Sequence, residues 1–405
     1  MALAAHAVKD AAAAPRAPAG AYFSGVLVSQ LANNALHLAQ PLLLLELSGS
    51  FGVAAFFSAF DTAVHMGGTF LGGWPADRLG ARKLLVISTL GRGLSLALIP
   101  AALVLGKLTL PFAMAAYTLD ALVRGLTDTA AHTVPLELGR GRRADYDRLN
   151  SGYELAFDLG GTAGPLMLGA LLAAGKTLAV QLAIPAGFVL AALVFIAIPE
   201  APAAERSRER KRAGSWEGLK LVLADPRLRL ACAGLCLLNL YPLRKLMASF
   251  FAKAILQSPA AAGWVGAAFG LGGAAGAVAY ALRSGGGAGW VAAGAVGSLA
   301  LAAGWLPASL SVMIAAALLF SLANVGARLA LTRRLQEATP LESAGGVTAV
   351  ARFGSNGVSV GLKTLVGAAF AVGAGPKAAF GLIAGGLVLL AAAQLGLCFF
   401  LKKES

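Results

Sequence analysis

The sequence predicts an all-α membrane protein: twelve transmembrane helices arranged as two pseudo-symmetric six-helix bundles. Three observations carry the prediction. Hydrophobic residues make up 58% of the 405-residue chain and charged ones only 13%, an apolar excess that a water-soluble domain of this length cannot hide from solvent. Apolar runs of about 20 residues, the length that crosses the hydrocarbon as a helix, recur along the whole chain. Lys and Arg gather in alternate loops between those runs, as they do in loops retained on one side of a bilayer.

Residues 1–20 are rich in Ala and Pro, carry Lys9, Asp10 and Arg16, and lack the apolar stretch of a signal peptide. They read as a disordered cytoplasmic tail. Six spans follow, over 21–47, 51–72, 84–106, 109–137, 148–174 and 177–198, and make an N-terminal bundle, 21–198. A polar linker, 199–227, begins with Ala, Pro, Arg and Glu, too few apolar groups to bury a core. Its end, from Ser215 and Trp216 to Arg227, has helical apolar spacing and should lie along the membrane interface. Six more spans, over 228–256, 260–282, 287–306, 308–334, 344–372 and 376–401, make a C-terminal bundle, 228–401, ahead of a cytoplasmic tail, 402–405. Two such halves suggest a site near the bilayer midplane between them.

A net charge of +14 raises the question of nucleic acid, but the distribution answers it. Arg78, Arg82 and Lys83, then Arg140, Arg142, Arg143 and Arg148, then Arg206, Arg208, Arg210, Lys211, Arg212, Lys220, Arg227 and Arg229 fall in alternate loops, followed by Arg333, Arg334, Lys402 and Lys403. The opposite loops hold little beyond Lys107, Lys176, Lys253 and Lys377. The basic excess sets topology, with both termini cytoplasmic, and no nucleic-acid partner is expected. Cys232, Cys236 and Cys398 sit in apolar helices without metal-site or disulfide spacing.

Between the second and third spans stands Gly73-Trp-Pro-Ala-Asp77-Arg78-Leu-Gly80-Ala-Arg82-Lys83. This loop resembles the one joining the second and third helices of the major facilitator superfamily, with Ala81 inserted before the basic pair. The resemblance implies that fold, and a conformational latch made by Gly73, Asp77, Arg78, Gly80, Arg82 and Lys83. The Trp/Glu-Gly-Leu and Asp-Pro segments at 216–226 resemble those preceding the seventh helix of bacterial exporters of the superfamily. On the fifth span Gly160, Gly164, Pro165 and Gly169 are similar to its antiporter motif, with Leu168 in place of one glycine. Glycines at helical spacing admit a neighbouring backbone, and Pro165 frees a carbonyl and bends the helix. That combination reads as a hinge and points to export.

Ionisable residues within spans are costly in hydrocarbon and face a cavity or a partner. Asp120, Arg124, Asp128 and His132 recur every four residues on the fourth span, one stripe that can neutralise itself. Arg124 resembles the superfamily's fourth-helix arginine, which implies proton coupling. Asp61 and His65 on the second span and Glu154 and Asp158 on the fifth lie nearby. Asp61, Asp120, Arg124, Asp128 and Asp158 are the candidates for carrying that coupling.

From Asp225 to Glu337 there is no other acidic residue, yet the second half carries Arg244 and Lys245 on the seventh span, Arg328 on the tenth, and Arg352 and Lys363 on the eleventh. These cations reach across to first-half carboxylates, bind an anionic ligand, or snorkel to an interface. With Asn33, His37, Asn239, Tyr241 and Asn356, the group Arg244, Lys245, Arg352 and Lys363 forms the candidate substrate site, and Pro242 interrupts its helix.

His37, His65, Asp61 and His132 are also donors suited to a transition metal, and Asn33-Asn34-Ala-Leu-His37 bears a loose likeness to the first helix of ferroportins; a divalent metal exporter is therefore an alternative. A lysophospholipid transporter and a non-transporting receptor are others. No phosphate-binding loop, His-Glu-x-x-His or Gly-x-Ser-x-Gly motif appears, so neither an ATP-driven pump nor an enzyme is expected, and no cofactor or structural metal. The sequence reads as a proton-coupled antiporter of a bacterial inner membrane, a monomer in the lipid bilayer exporting an anionic or amphipathic small molecule. If the latch assignment holds, Asp77→Asn leaves folding intact and lowers transport. Wild-type transport at equal membrane abundance would refute it.

Overall fold

A computed structural model describes residues 16–403 apart from 73–74, 76–77, 139–142, 199–214, 239–240, 283–286, 340–343 and 374. The first half comprises α1 (Arg16–Ser48), α2 (Phe51–Leu71), α3 (Ala81–Val104), α4 (Leu110–Leu138), α5 (Arg143–Ala173) and α6 (Thr177–Ile196). A short α7 (Ser215–Ala224) leads to α8 (Pro226–Leu238) and α9 (Tyr241–Ala254), which together take the place of the seventh span. The second half continues with α10 (Ala261–Leu282), α11 (Gly287–Gly304), α12 (Leu310–Ala338), α13 (Ala344–Ala371) and α14 (Pro376–Lys403). No strand occurs among the described residues. Helix α1 starts at Arg16, within the segment expected to be a tail; residues 1–15 lie outside the described residues.

Among the described residues, eight stretches are long and apolar enough to cross a membrane: α3, 156–173 of α5, α6, the α8–α9 stretch, α10, α11, 310–335 of α12 and 380–400 of α14. The remaining four long helices, α1, α2, α4 and α13, have the length but a more polar composition. They carry His37, Asp61, Asp120, Arg124 and Lys363, polar groups that lower their hydropathy. Leu94, Leu193, Leu319 and Leu389 are more than half exposed on the outside of the bundle, as lipid-facing leucines should be.

Local chemistry sets the joints. Gly49 adopts φ 63° between α1 and α2, a left-handed turn that a side chain would strain, and Ser50 accepts a hydrogen bond from the Val53 N–H to cap α2. Gly80, at φ 84°, is the N-cap of α3, which explains a glycine at that point of the basic loop. Helices α2 and α4 touch backbone to backbone: a Cβ on Gly68 would collide with the Leu122 carbonyl, and one on Gly125 with Gly68 and Thr69. The Thr129 hydroxyl donates to the Thr69 carbonyl at 3.1 Å beside that contact.

The hydrophobic core forks. One continuous cluster unites both halves, from Leu38, Phe57 and Tyr117 to Phe250, Phe269 and Val366. Towards the basic loops each half keeps a core of its own, Tyr22, Leu85 and Phe195 in the first, Leu228, Leu331 and Val347 in the second. At the joined end Phe51 meets Phe250 edge-on at 4.9 Å and stacks on Phe370 at 5.1 Å, an aromatic plug of one first-half and two second-half rings. The halves are thus packed together away from the basic loops and separate in core towards them.

The α2–α4 contact leaves no room for a side chain. Gly125→Leu should lower stability by about 1–3 kcal/mol through overpacking, read as a lower melting temperature in detergent. Gly385→Leu, whose Cβ would meet nothing within 4 Å, should leave it unchanged.

Candidate functional site

The polar residues of α1, α2, α3, α4, α9 and α13 converge at mid-depth, where the joined core begins. Asp61 is 4% exposed and Arg124 5%; the Arg124 Nη2 donates to Asp61 Oδ2 at 2.6 Å, and the Gln40 amide donates to the other oxygen at 3.3 Å. Arg92, 2% exposed, donates through Nε to Asp120 Oδ1 at 2.8 Å and through Nη2 to Asn33 Oδ1 at 2.9 Å. Its guanidinium lies 4.0 Å from the centre of the Phe188 ring, a face that favours a cation. His65 Nε2 and Asp128 Oδ2 stand 2.8 Å apart, one turn along α2 and α4 from the Asp61–Arg124 pair.

Three charges of the fourth-span stripe also bond to other helices: Asp120 to α3, Arg124 to α2, Asp128 to α2. Helical i, i+4 pairs of Arg and Asp face one another, and α2, lying against α4 at the glycine contact, adds partners from a second helix. Arg92 is the residue that the sequence reading passed over. A lone arginine inside an apolar run was its signal.

Two second-half cations reach oxygens of the first half. The Lys245 ammonium donates to Asn34 Oδ1 at 2.5 Å, and Asn34 is held by its own bond to the Gln30 carbonyl at 2.7 Å. The Lys363 ammonium donates to Thr62 Oγ1 at 2.8 Å and to the Ser58 carbonyl at 3.2 Å. Arg244 stays in its own half, donating to Ser321 Oγ at 2.5 Å and lying 5.0 Å from the Phe269 ring centre. Arg328 and Arg352 are exposed, in keeping with the snorkelling alternative.

Two features leave this cluster open to a ligand. Arg124 Nε and Nη1 are buried with no hydrogen-bond partner among the described residues, and so is the Tyr117 hydroxyl one further stretch along the same face of α4. His37 is half-buried on α1, near enough to Arg124, Lys245, Lys363 and Arg92 to feel all four charges. Among the described residues the fully buried charged side chains are Arg92, Arg124, Arg244, Lys245 and Lys363 with Asp61 and Asp120.

Of the residues expected to form a hinge, Gly169 and Pro165 lie between the halves, and Gly160 and Gly164 pack within the first. A Cβ on Gly160 or Gly164 would strike Gln30 or Leu31 of α1, whereas Gly169 faces Ala260 and Gly263 of the second half. Gly263 in turn abuts the Pro165 carbonyl, and Gly266 the Pro165 ring. Of the basic loop, the Arg82 guanidinium donates to the Ile196 carbonyl at the end of α6, a carbonyl that the helix leaves without an internal donor. Arg78 and Lys83 are exposed; Gly73 and Asp77 lie outside the described residues. So does Asn239, and the side chains of Tyr241, His132 and Glu154 are not described either. Asp158 and Asn356 are half-buried. Among the described residues no three His, Cys, Asp or Glu side chains come together as a metal site: Asp61 is taken by Arg124 and His65 by Asp128.

Residues 22–252 match the model of the Major Facilitator Superfamily. The multidrug efflux pump Tap of Mycolicibacterium fortuitum is 31% identical over 265 residues, a match covering 63% of this chain and 64% of that protein. Among solved structures, the nucleoside transporter NupG superposes with a TM-score of 0.71 at 10% identity, over 94% of this chain and 98% of that one. A bacterial homologue of the iron transporter ferroportin gives 0.69 at 15% identity, over 94% and 98%. The human organic anion transporter MFSD10 gives 0.61 at 21% identity, over 95% and 99%. At these identities the likeness to solved structures is one of fold.

The Arg92–Asp120 pair tests how the site is held together. Arg92→Met alone should cost about 3–5 kcal/mol by stranding a buried carboxylate, while Arg92→Met combined with Asp120→Leu should recover most of the loss. Thermal unfolding of the three proteins in detergent is the check.

Proposed function

The chain belongs to the major facilitator superfamily, and from that premise we propose that it is a proton-coupled exporter of an amphipathic organic solute bearing an anionic group. The observation that carries the proposal is the buried Arg124, bonded to Asp61 through Nη2 while its Nε and Nη1 have no hydrogen-bond partner among the described residues, amid Lys363, Lys245 and His37. A carboxylate, sulfonate or phosphate accepts charge-assisted hydrogen bonds from guanidinium N–H groups, and the Tyr117 hydroxyl offers a further donor on the same helix face. The apolar part of the solute would lie against the surrounding rings, Phe57, Phe250 and Phe269. The similarity to an efflux pump supports the outward direction. An exporter driven by an inward proton gradient exchanges solute for protons.

In this reading Asp61 carries the proton. A proton on Asp61 removes the charge that holds Arg124 and so changes what the guanidinium can bind. Asp120 is already held by Arg92 and Asn33 away from Nε and Nη1 of Arg124, which makes it a structural counter-ion, with Asp128 and Asp158 nearer to water. Pro165 and Gly169 form the surface on which the halves rock, and the Asp77 loop is the latch at the cytoplasmic face of a bacterial inner membrane. The protein works as a monomer, both termini cytoplasmic.

Proteoliposomes under an imposed pH gradient, offered a panel of organic anions, zwitterions, cations, lysophospholipids and divalent metals, test the proposal. Flux of an acidic amphipath should follow the gradient. Asp61→Asn should leave binding and abolish the dependence on the gradient. Lys363→Gln should weaken binding of the acidic solute by about tenfold, the usual worth of one charge-assisted hydrogen bond. Gradient-driven flux retained in Asp61→Asn, or flux of divalent metal alone, would overturn the reading.

A further inference from the structure

The Asp61–Arg124 pair is buried, so a proton needs a route to it, and one pair of side chains beside it is partly wet. The side chain of His65 is 19% exposed and that of Asp128 39%. His65 stands four residues after Asp61 on α2, and Asp128 four residues after Arg124 on α4, each on the side of the basic loops. That spacing puts Asp61 and His65 on one helix face with Cβ atoms about 6 Å apart. The two helices hold two rungs of opposite polarity: carboxylate on α2 to cation on α4, then imidazole on α2 to carboxylate on α4. The backbone contact between Gly68, a turn beyond His65, and Gly125, between Arg124 and Asp128, holds the two helices close beside both rungs. The cores of the two halves have already parted at this level, so water approaches from the basic-loop side.

We propose that His65, oriented by Asp128, is the group through which protons from the basic-loop side reach Asp61. The proposal rests on the reading that Asp61 is protonated during transport. The imidazole takes a proton from water at one ring nitrogen and becomes an imidazolium, stabilised by the Asp128 carboxylate on Nε2. It then gives up one proton through water to a carboxylate oxygen of Asp61 and returns to the neutral form. Asp61 gains that proton, and its ion pair with Arg124 is broken. Besides Asp61 on its own helix, the charged or titratable residues of the helices packed against α2 are Tyr117, Asp120, Arg124, Asp128, His132 and Glu137 on α4, Arg16, Tyr22, His37 and Glu46 on α1, Arg352 and Lys363 on α13, and Tyr241, Arg244, Lys245 and Lys253 on α9. Among them Asp128 is the group bonded to the ring. It is a positioning residue: it fixes which ring nitrogen faces Asp61.

The test needs no solute. The full-length protein is reconstituted in lipid and subjected to a rapid drop in pH while the C=O stretch of protonated carboxyl groups is followed in the infrared. The band that disappears in Asp61→Asn identifies Asp61. In His65→Ala that band should grow at least about tenfold more slowly, as expected on removing a positioned proton carrier, with its final amplitude unchanged. Added imidazole should restore the rate, which it would not do for a misfolded protein. Asp128→Asn should slow the band by less, with imidazole giving no further gain. A wild-type rate in His65→Ala, or a slow rate that imidazole leaves untouched, would overturn the relay while leaving Asp61 as the proton carrier. Absence of any Asp61 band in the wild type would overturn both the relay and the coupling role of Asp61.

Discussion

Hydrocarbon does not tolerate a lone charge, and the arrangement of this bundle follows from that constraint. An ionised side chain at mid-depth costs several kcal/mol unless it finds a partner, and the buried pairs among the described residues join two helices each. Arg92 must come from α3 to Asp120 on α4, and Arg124 from α4 to Asp61 on α2. The pairs are therefore cross-links between helices as well as electrostatic features. They tie α3 and α2 to α4, with Asn33 of α1 accepting from Arg92 and Gln40 of α1 donating to Asp61.

The same constraint ties the second half to the first. Lys245 and Lys363 are buried and find oxygen on α1 and α2. These contacts join the halves at mid-depth. Small residues let the backbones come close at the joint, as at Gly169 against Gly263 and Gly270 against Gly161, and packing of that kind replaces the hydrophobic drive that helices lack in lipid. The outcome is a joined core with an aromatic plug at one end and two separate cores at the other. An alternating-access transporter needs such a division between parts that hold and parts that part.

Much of this was legible in the sequence, for identifiable reasons. Length and hydropathy give the helices, because a span must satisfy its own backbone hydrogen bonds. Asp61, Arg124 and Lys363 stand out because charge inside an apolar run has few innocent explanations. Partners were harder. The i, i+4 spacing of Asp120, Arg124 and Asp128 suggested pairing along α4, but the Gly68–Gly125 contact, invisible without the fold, brings α2 close enough to bond Arg124 and Asp128 as well. Arg92 was missed although its signal was as strong as that of Arg124. The acceptors of Lys245 and Lys363 were not legible at all, since Asn34, Thr62 and the Ser58 carbonyl are groups of a kind found on every helix. The acid-free second half showed that its cations needed something from elsewhere, not what it was.

The central claim, that a cation of the second half clasps the first half at mid-depth and holds the joined end closed, is open to a direct distance measurement. Spin labels at Leu105 and Val372, both well exposed on loops of the joined end and in opposite halves, report the gap between them by electron double resonance in lipid. The clasp predicts a single short distance in the wild type and a longer population in Lys363→Met, which removes the ammonium and keeps the chain length. An identical distribution in the two proteins would contradict it.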